Sequence, residues 1–323
     1  MDLQTFIAEW RSDKPTVLVH TSGSTGKPKA MLVEKRRMEA SARITCRFLG
    51  LREGDTALLC MPLDYIAGKM MVVRAETCGL RLVSITPSSH PLATVAGHLD
   101  FAAMVPLQVW NSLQVPEECE RLRQIRHLII GGGAIDEAMA QALADFPHAV
   151  WSTYGMTETL SHIALRRLSG PEATDWYTPF EGVQVALDAE GCLLIDAPAV
   201  HEGRLKTNDI AELRPDGSFR ILGRKDNVIC SGGIKIQAEE VERLLRPYLE
   251  APFMVTKAPD KQLGEQVVLL TESSDVDGVL AHCRRQLPKY WVPRRVLTVG
   301  HLPLTETGKP ARHEAELMAH DSR

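Results

Sequence analysis

Between residue 16 and about residue 166, short apolar runs alternate with longer stretches of amphipathic spacing. Runs at 16–20 (TVLVH), 30–33, 57–61, 80–85, 102–105, 128–130 and 149–154 have strand length and aliphatic character. Between them, Met38, Ala42, Thr45 and Leu49 recur at helical spacing, and Asp136 is an N-cap candidate for a helix reaching Leu143. Strands that alternate with helices predict a largely parallel sheet covered by helices. The pattern changes near Pro179. Residues 183–222 hold short β-like pieces split by turn signals at Ala189-Glu190-Gly191 and Pro215-Asp216-Gly217, which predicts a meander. After Arg224 comes a third texture: a helix over 238–249, strands over 253–256 and 267–271, a helix near 279–287 and a strand near 296–299. The expected fold is α/β, with a large N-terminal domain of helix-covered sheets and a β-rich subdomain over residues 1–224. A small, mobile C-terminal α+β domain is expected over 225–323.

The 323 residues are 44% hydrophobic and 24% charged, enough apolar material for a real core. A net charge of −4 argues against a sequence-independent grip on nucleic acid, so any anion recognition must be local. Seven cysteines are scattered without C-x-x-C spacing, and several sit in apolar runs, as Cys60 does in ALLCM. They read as reduced core residues of a cytoplasmic protein. The N-terminus carries two early acids and no long apolar run, so neither a signal peptide nor membrane insertion is expected.

Candidate chemistry begins in residues 21–29, TSGSTGKPK. Small residues let backbone N–H groups approach an anion, hydroxyls add donors and lysines add charge, a composition suited to a triphosphate. Pro28 follows Gly26 and Lys27, where a Walker A loop needs a hydroxyl, and the loop is expected to join two strands instead of opening a helix. Tyr154-Gly155-Met156-Thr157-Glu158-Thr159 leaves the strand at 149–153, at the end where open α/β sheets bind ligands. Tyr154 offers a flat face for a base, Thr157 a hydroxyl for phosphate and Glu158 a hard oxygen for Mg²⁺. Upstream, Gly131-Gly132-Gly133 permits close approach of a flat ligand, although a strand-to-helix turn explains the glycines nearly as well. Asp209 can accept both hydroxyls of a ribose, and Arg224 can donate to the same sugar or to phosphate. Lys309 stands on a polar loop, PLTETGK.

In this order TSGSTGKPK, GGGA, YGMTET, TND, GRKDNVICSGG and PLTETGK resemble the acyl-adenylate-forming superfamily, which includes acyl- and aryl-CoA ligases and luciferase. The resemblance runs from about residue 16 to 314. It implies two steps: a carboxylate attacks the α-phosphate of Mg·ATP to give an acyl-adenylate, and a thiol, usually that of coenzyme A, then displaces AMP. It further implies that Thr21, Ser22, Gly23, Ser24, Thr25, Gly26 and Lys27 hold pyrophosphate. Gly132, Gly133, Tyr154 and Gly155 would flank the adenine, Thr157 would bind phosphate and Glu158 magnesium. Asp209 and Arg224 would bind ribose, and Lys309 would bridge the acid and the α-phosphate. Asp226 matches the family's hinge, about which the C-terminal domain rotates. Rotation would replace Lys309 by Ser231, Gly232 and Gly233 beside the pantetheine path; a plain left-handed turn also explains the two glycines.

Residues 61–75, MPLDYIAGKMMVVRA, are similar to the family's P-L-x-H-x-x-G stretch, with Tyr65 where a histidine usually stands. Within that stretch the o-succinylbenzoate-CoA ligases of menaquinone biosynthesis carry an arginine at the position of Arg74. A second carboxylate, remote from the reacting one, needs such a partner, with Lys69 as a second candidate. A solvated helix face would account for Arg74 equally. Typical members carry a long N-terminal subdomain ahead of the phosphate loop, and chains as compact as this one look most like short o-succinylbenzoate-CoA ligases. The expected partners are therefore a small carboxylic acid, ATP and CoA, with a homo-oligomer left open. Other aryl- or acyl-CoA ligases, and enzymes that load a carrier-protein thiol, are the alternatives.

Overall fold

The five apolar runs between residues 57 and 154 become neighbouring strands in one seven-stranded sheet, while the runs at 16–20 and 30–33 pair in a separate two-stranded sheet. The computed structural model describes residues 1–20, 30–133, 135–305 and 310–321. Helix α1 (Leu3–Arg11) precedes strands β1 (Thr16–His20) and β2 (Ala30–Glu34), then α2 (Lys35–Leu49), β3 (Thr56–Leu59), α3 (Ile66–Cys78) and β4 (Arg81–Ser84). Next come β5 (Phe101–Met104), α4 (Pro106–Gln114), α5 (Pro116–Arg123), β6 (His127–Ile130), α6 (Glu137–Ala144), β7 (Ala149–Gly155), β8 (His162–Arg167) and β9 (Thr178–Pro179). As the sequence predicts, strands flank residues 21–29, and Asp136 caps α6 by accepting the Met139 N–H at 2.8 Å; β1 and β2 pair antiparallel, with His20 opposite Ala30.

The sheet order is β4-β3-β5-β6-β7-β8-β9. The first five strands are parallel, and β3 and β5 are buried at every position, which explains their unbroken apolar runs. Strands β8 and β9 are antiparallel, a departure from the largely parallel expectation. Only residues 156–161 separate β7 from β8, too few for the crossover that a parallel pair requires. Helix α3 was not anticipated as an element. Gly68 through Ala75 are all buried, so no polar stripe marks its period.

Strands β10 (Gln184–Leu187), β11 (Cys192–Asp196), β12 (Arg204–Leu213) and β13 (Phe219–Arg224) pair in chain order, the meander that the turn signals predict. The chain divides into two compact units. One comprises Met1–Ala186, Leu194–Leu205 and Leu213–Arg220; the other comprises Leu187–Leu193, Lys206–Glu212 and Ile221–Arg323.

In the second unit, β14 (Val228–Ser231) and β15 (Ile234–Gln237) form a hairpin. There follow α7 (Ala238–Leu245), β16 (Phe253–Asp260), β17 (Gly264–Thr271), α8 (Val276–Gln286), β18 (Arg295–Thr298) and α9 (Arg312–Asp321). Ile229, Ile236, Val241, Leu245, Val255 and Leu269 are among the buried side chains that form its core. The helix expected over 238–249 stops at Leu245 and tightens into a 3-10 turn over Arg246–Tyr248. Pro247 accounts for that: it has no N–H to donate, and its ring clashes with the preceding turn. No helix among the described residues is long and apolar enough to cross a membrane.

Candidate active site

Parallel strands deliver their exits to one edge of a sheet, and here that edge collects much of the predicted chemistry. Gly132 and Gly133 leave β6 there, where side-chain atoms in their place would meet Val105 and Pro106. Half-buried Tyr154 ends β7, with its ring edge-on to Phe219 at 5.1 Å and 5.8 Å from Tyr177. The connection to β8 is tight. A Cβ on Gly155 would strike the Ser161 carbonyl. Thr159 Oγ1 accepts the Met156 N–H at 3.0 Å and donates to the Ser161 carbonyl at 2.7 Å. Thr157 is 9% exposed, whereas Glu158 faces solvent. A parallel bridge joins His20 to Tyr65, so the chain enters residues 21–29 beside Tyr65. Thr21, Ser22, Gly23, Ser24, Thr25, Gly26, Lys27 and Lys309 lie outside the described residues.

Helix α3 carries two buried cations. Lys69 Nζ donates to the Leu18 carbonyl at 2.5 Å and lies 5.5 Å from the Phe6 ring centre; burial lowers its pKa. Arg74 is 2% exposed, which removes the solvated-face alternative. Its Nη2 donates to Ser161 Oγ at 2.7 Å, its Nη1 touches Met71 Sδ at 3.8 Å, and the guanidinium lies 6.0 Å from the Phe101 ring centre. Its Nε has no hydrogen-bond partner among the described residues. Burial brings its pKa down to about 10, with Cys46 and Cys78 acting against that shift, so it is cationic at neutral pH. The charges acting on it come from thiols, not from a carboxylate.

Ser161 continues the chain. Its hydroxyl lies 3.2 Å from His162 Nδ1, and His162 Nε2 lies 3.1 Å from Thr45 Oγ1. Thr45 Oγ1 donates its proton to the Ser41 carbonyl at 3.1 Å, so it accepts from Nε2–H. Nδ1 is then the acceptor for Ser161. Every donor points the same way, from Arg74 through Ser161, His162 and Thr45 to the Ser41 carbonyl. Burial, reinforced by the Arg74 charge, holds the imidazole pKa well below its usual value, so His162 is neutral. The motif reading stopped at Thr159 and missed Ser161 and His162; no residue spacing in the sequence links them to Thr45 or Arg74.

In the second unit, Arg224 Nη1 donates to Asp209 at 3.1 Å and Nη2 to Asp226 at 2.7 Å. Asn208 donates to both oxygens of Asp226 at 3.2 Å. The two proposed ribose ligands and the proposed hinge therefore form one network. Burial opposes the Arg224 charge, but Asp226 and Asp209 outweigh it and raise the pKa. Ser231 closes β14, and Gly232 and Gly233, with φ of 59° and 83°, form a two-residue hairpin turn to Ile234. That turn demands positive φ at both positions, which explains the paired glycines.

The AMP-binding enzyme family matches residues 4–201. A 2-succinylbenzoate–CoA ligase from Bacillus mycoides is 24% identical over 97% of this chain and 72% of its own. The structure of an acyl-CoA synthetase (AMP-forming)/AMP-acid ligase II-like protein from Dyadobacter fermentans is 32% identical. It aligns over 98% of this chain and 92% of its own, with a TM-score of 0.67. The O-succinylbenzoate coenzyme A synthetase of Bacillus subtilis, solved with ATP and magnesium ion, shares the fold at 23% identity. Its TM-score is 0.77 over 92% of this chain and 69% of its own. A family match over most of the chain and a solved relative 32% identical over nearly its whole length lead to one conclusion: this chain is a member of the AMP-binding enzyme family.

Proposed function

We propose that this enzyme activates a dicarboxylic aromatic acid, with o-succinylbenzoate as the best candidate, and passes it to coenzyme A for menaquinone biosynthesis. One carboxylate oxygen attacks the α-phosphorus of ATP and pyrophosphate leaves. The CoA sulfur then attacks the acyl carbon, AMP leaves, and the thioester remains. The observation that carries the substrate is Arg74: a buried guanidinium with an unused Nε–H and no carboxylate among the charges acting on it. A second carboxylate from the substrate supplies that missing partner. The names of the Bacillus relatives support the same acid.

Around it, residues 21–27 would cradle the phosphates, Tyr154 and Gly132–Gly133 would flank the adenine, and Thr157 would donate to phosphate. Solvent-facing Glu158 suits a Mg²⁺ ion held mostly by phosphate oxygens, and such an ion supplies charge neutralisation at the triphosphate. Asp209 and Arg224 would take the ribose hydroxyls, and Lys309 would bring acid and α-phosphate together. Tyr65, beside the start of the phosphate loop, would wall the acyl group. Residues 225–323 would act as a domain that turns about Asp226 between the half-reactions, exchanging Lys309 for Ser231–Gly233 at the thiol path.

Arg74→Met tests the substrate. The KM for o-succinylbenzoate should rise by about 10- to 100-fold, the worth of a hydrogen bond to a charged group. The kcat/KM for an aromatic monocarboxylate should fall far less, because that acid shares only the loss of the Arg74–Ser161 hydrogen bond. Equal losses for both acids would remove Arg74 from the acyl site.

A further inference from the structure

We propose that Cys46 and Cys78 form a reversible disulfide, a redox-sensitive cross-link between α2 and α3. Helices α2 and α3 pack against each other, and the two thiols face one another closely enough for each to shift the other's proton affinity. Cys78 Sγ also lies 4.0 Å from the Ala42 carbonyl, one turn before Cys46 on α2. Cys46 is buried, while Cys78, the last residue of α3, is partly exposed. A small oxidant therefore meets the Cys78 sulfur first, with Cys46 sheltered on the facing helix. The Cys46 thiol favours Cys78 as thiolate against the cost of burial, and Arg43 and Arg74 add to the effect. The same interaction, with burial, keeps the proton on Cys46. This is the asymmetry of an attacking and a resolving thiol.

The chemistry closes with a hydroperoxide as oxidant. The Cys78 thiolate attacks one oxygen of hydrogen peroxide, the O–O bond breaks, and the departing hydroxide takes a proton to become water. Cys78 is then a sulfenic acid. Cys46 sulfur attacks it, the S–O bond breaks, and the leaving oxygen carries off the Cys46 proton as a second water. Two thiols have been oxidised and one peroxide reduced. The sulfur atoms must close to about 2 Å, and Cys78 at the end of α3 is the one placed to move. The cross-link needs no substrate, so it forms whatever acid the enzyme takes.

The test uses the whole purified chain, treated with a few equivalents of hydrogen peroxide, alkylated, digested and read by mass spectrometry. The expected result is one cross-linked peptide pair joining Cys46 to Cys78, lighter by two hydrogen atoms and lost after dithiothreitol. Cys78→Ser should abolish it, while Cys60 and Cys283, both buried, remain reduced in either protein. Recovery of Cys78 as sulfinic acid beside an alkylated Cys46 would overturn the proposal. So would oxidation confined to exposed Cys230.

Discussion

At the scale of single residues, the one-way chain of donors from Arg74 to the Ser41 carbonyl fixes the charge on His162. A protonated imidazole would present a second proton to Ser161 beside a guanidinium, so the folded protein holds it neutral. The folded pKa lies below the ordinary 6.5 that the unfolded chain retains. The contribution to stability is therefore complete above pH 6.5 and lost as pH falls toward the folded value. His162→Gln keeps a donor and an acceptor but cannot titrate. Going from pH 7.5 to pH 5.5, denaturant melts of this variant should show a loss of stability about 1.4 kcal/mol smaller than in the parent. Equal losses would mean that His162 is already charged or reached by water. His127, brought down to about 4 by burial and by Arg126 and Arg167, would leave a residual pH dependence in both proteins. Residues like these are hard to read in a sequence. Tyr154, Thr157 and Glu158 sit together in a recognisable hexapeptide. Ser161 and His162 matter through Arg74 and Thr45, on other elements, and only the fold makes that juxtaposition.

Among the elements, α3 does most to organise the site. Its buried Lys69 binds the Leu18 carbonyl of β1, the strand that leads into residues 21–29. Lys69→Met should cost about 1–3 kcal/mol of stability, since it removes the donor from a buried carbonyl. On the proposed phosphate role of residues 21–27 it should also weaken ATP binding, because β1, which leads into them, loses its tie to α3. If stability is unchanged and only the KM of the acid rises, Lys69 belongs to the acyl pocket instead. The parallel strands were legible because they are apolar without interruption, as in Leu58 and Leu59 of β3 or Ile129 and Ile130 of β6. Helix α3 was not, because a helix buried on all sides loses the polar face that reveals its period. Gly232 and Gly233 were noticed for a possible ligand path, yet the turn between β14 and β15 already requires them. Both uses are compatible: a tight turn brings bare backbone to a surface.

For the whole molecule, the sequence order of the motifs carried the family, and the fold added the buried cations of α3. The motifs are far apart along the chain, but each is compact and recognisable by itself. Arg74, which we propose as the reader of the acyl group, has no carboxylate partner among the described residues, and a buried cation of this kind leaves no pattern in a sequence. The central claim is that this chain makes an acyl-adenylate from a dicarboxylic acid. It is tested most directly by exchange of labelled pyrophosphate into ATP, with magnesium and o-succinylbenzoate present and CoA omitted. Label should enter ATP only when the acid is added, and removal of magnesium should stop it. Exchange at the acid-free background, by protein that has kept its fold, would contradict the claim.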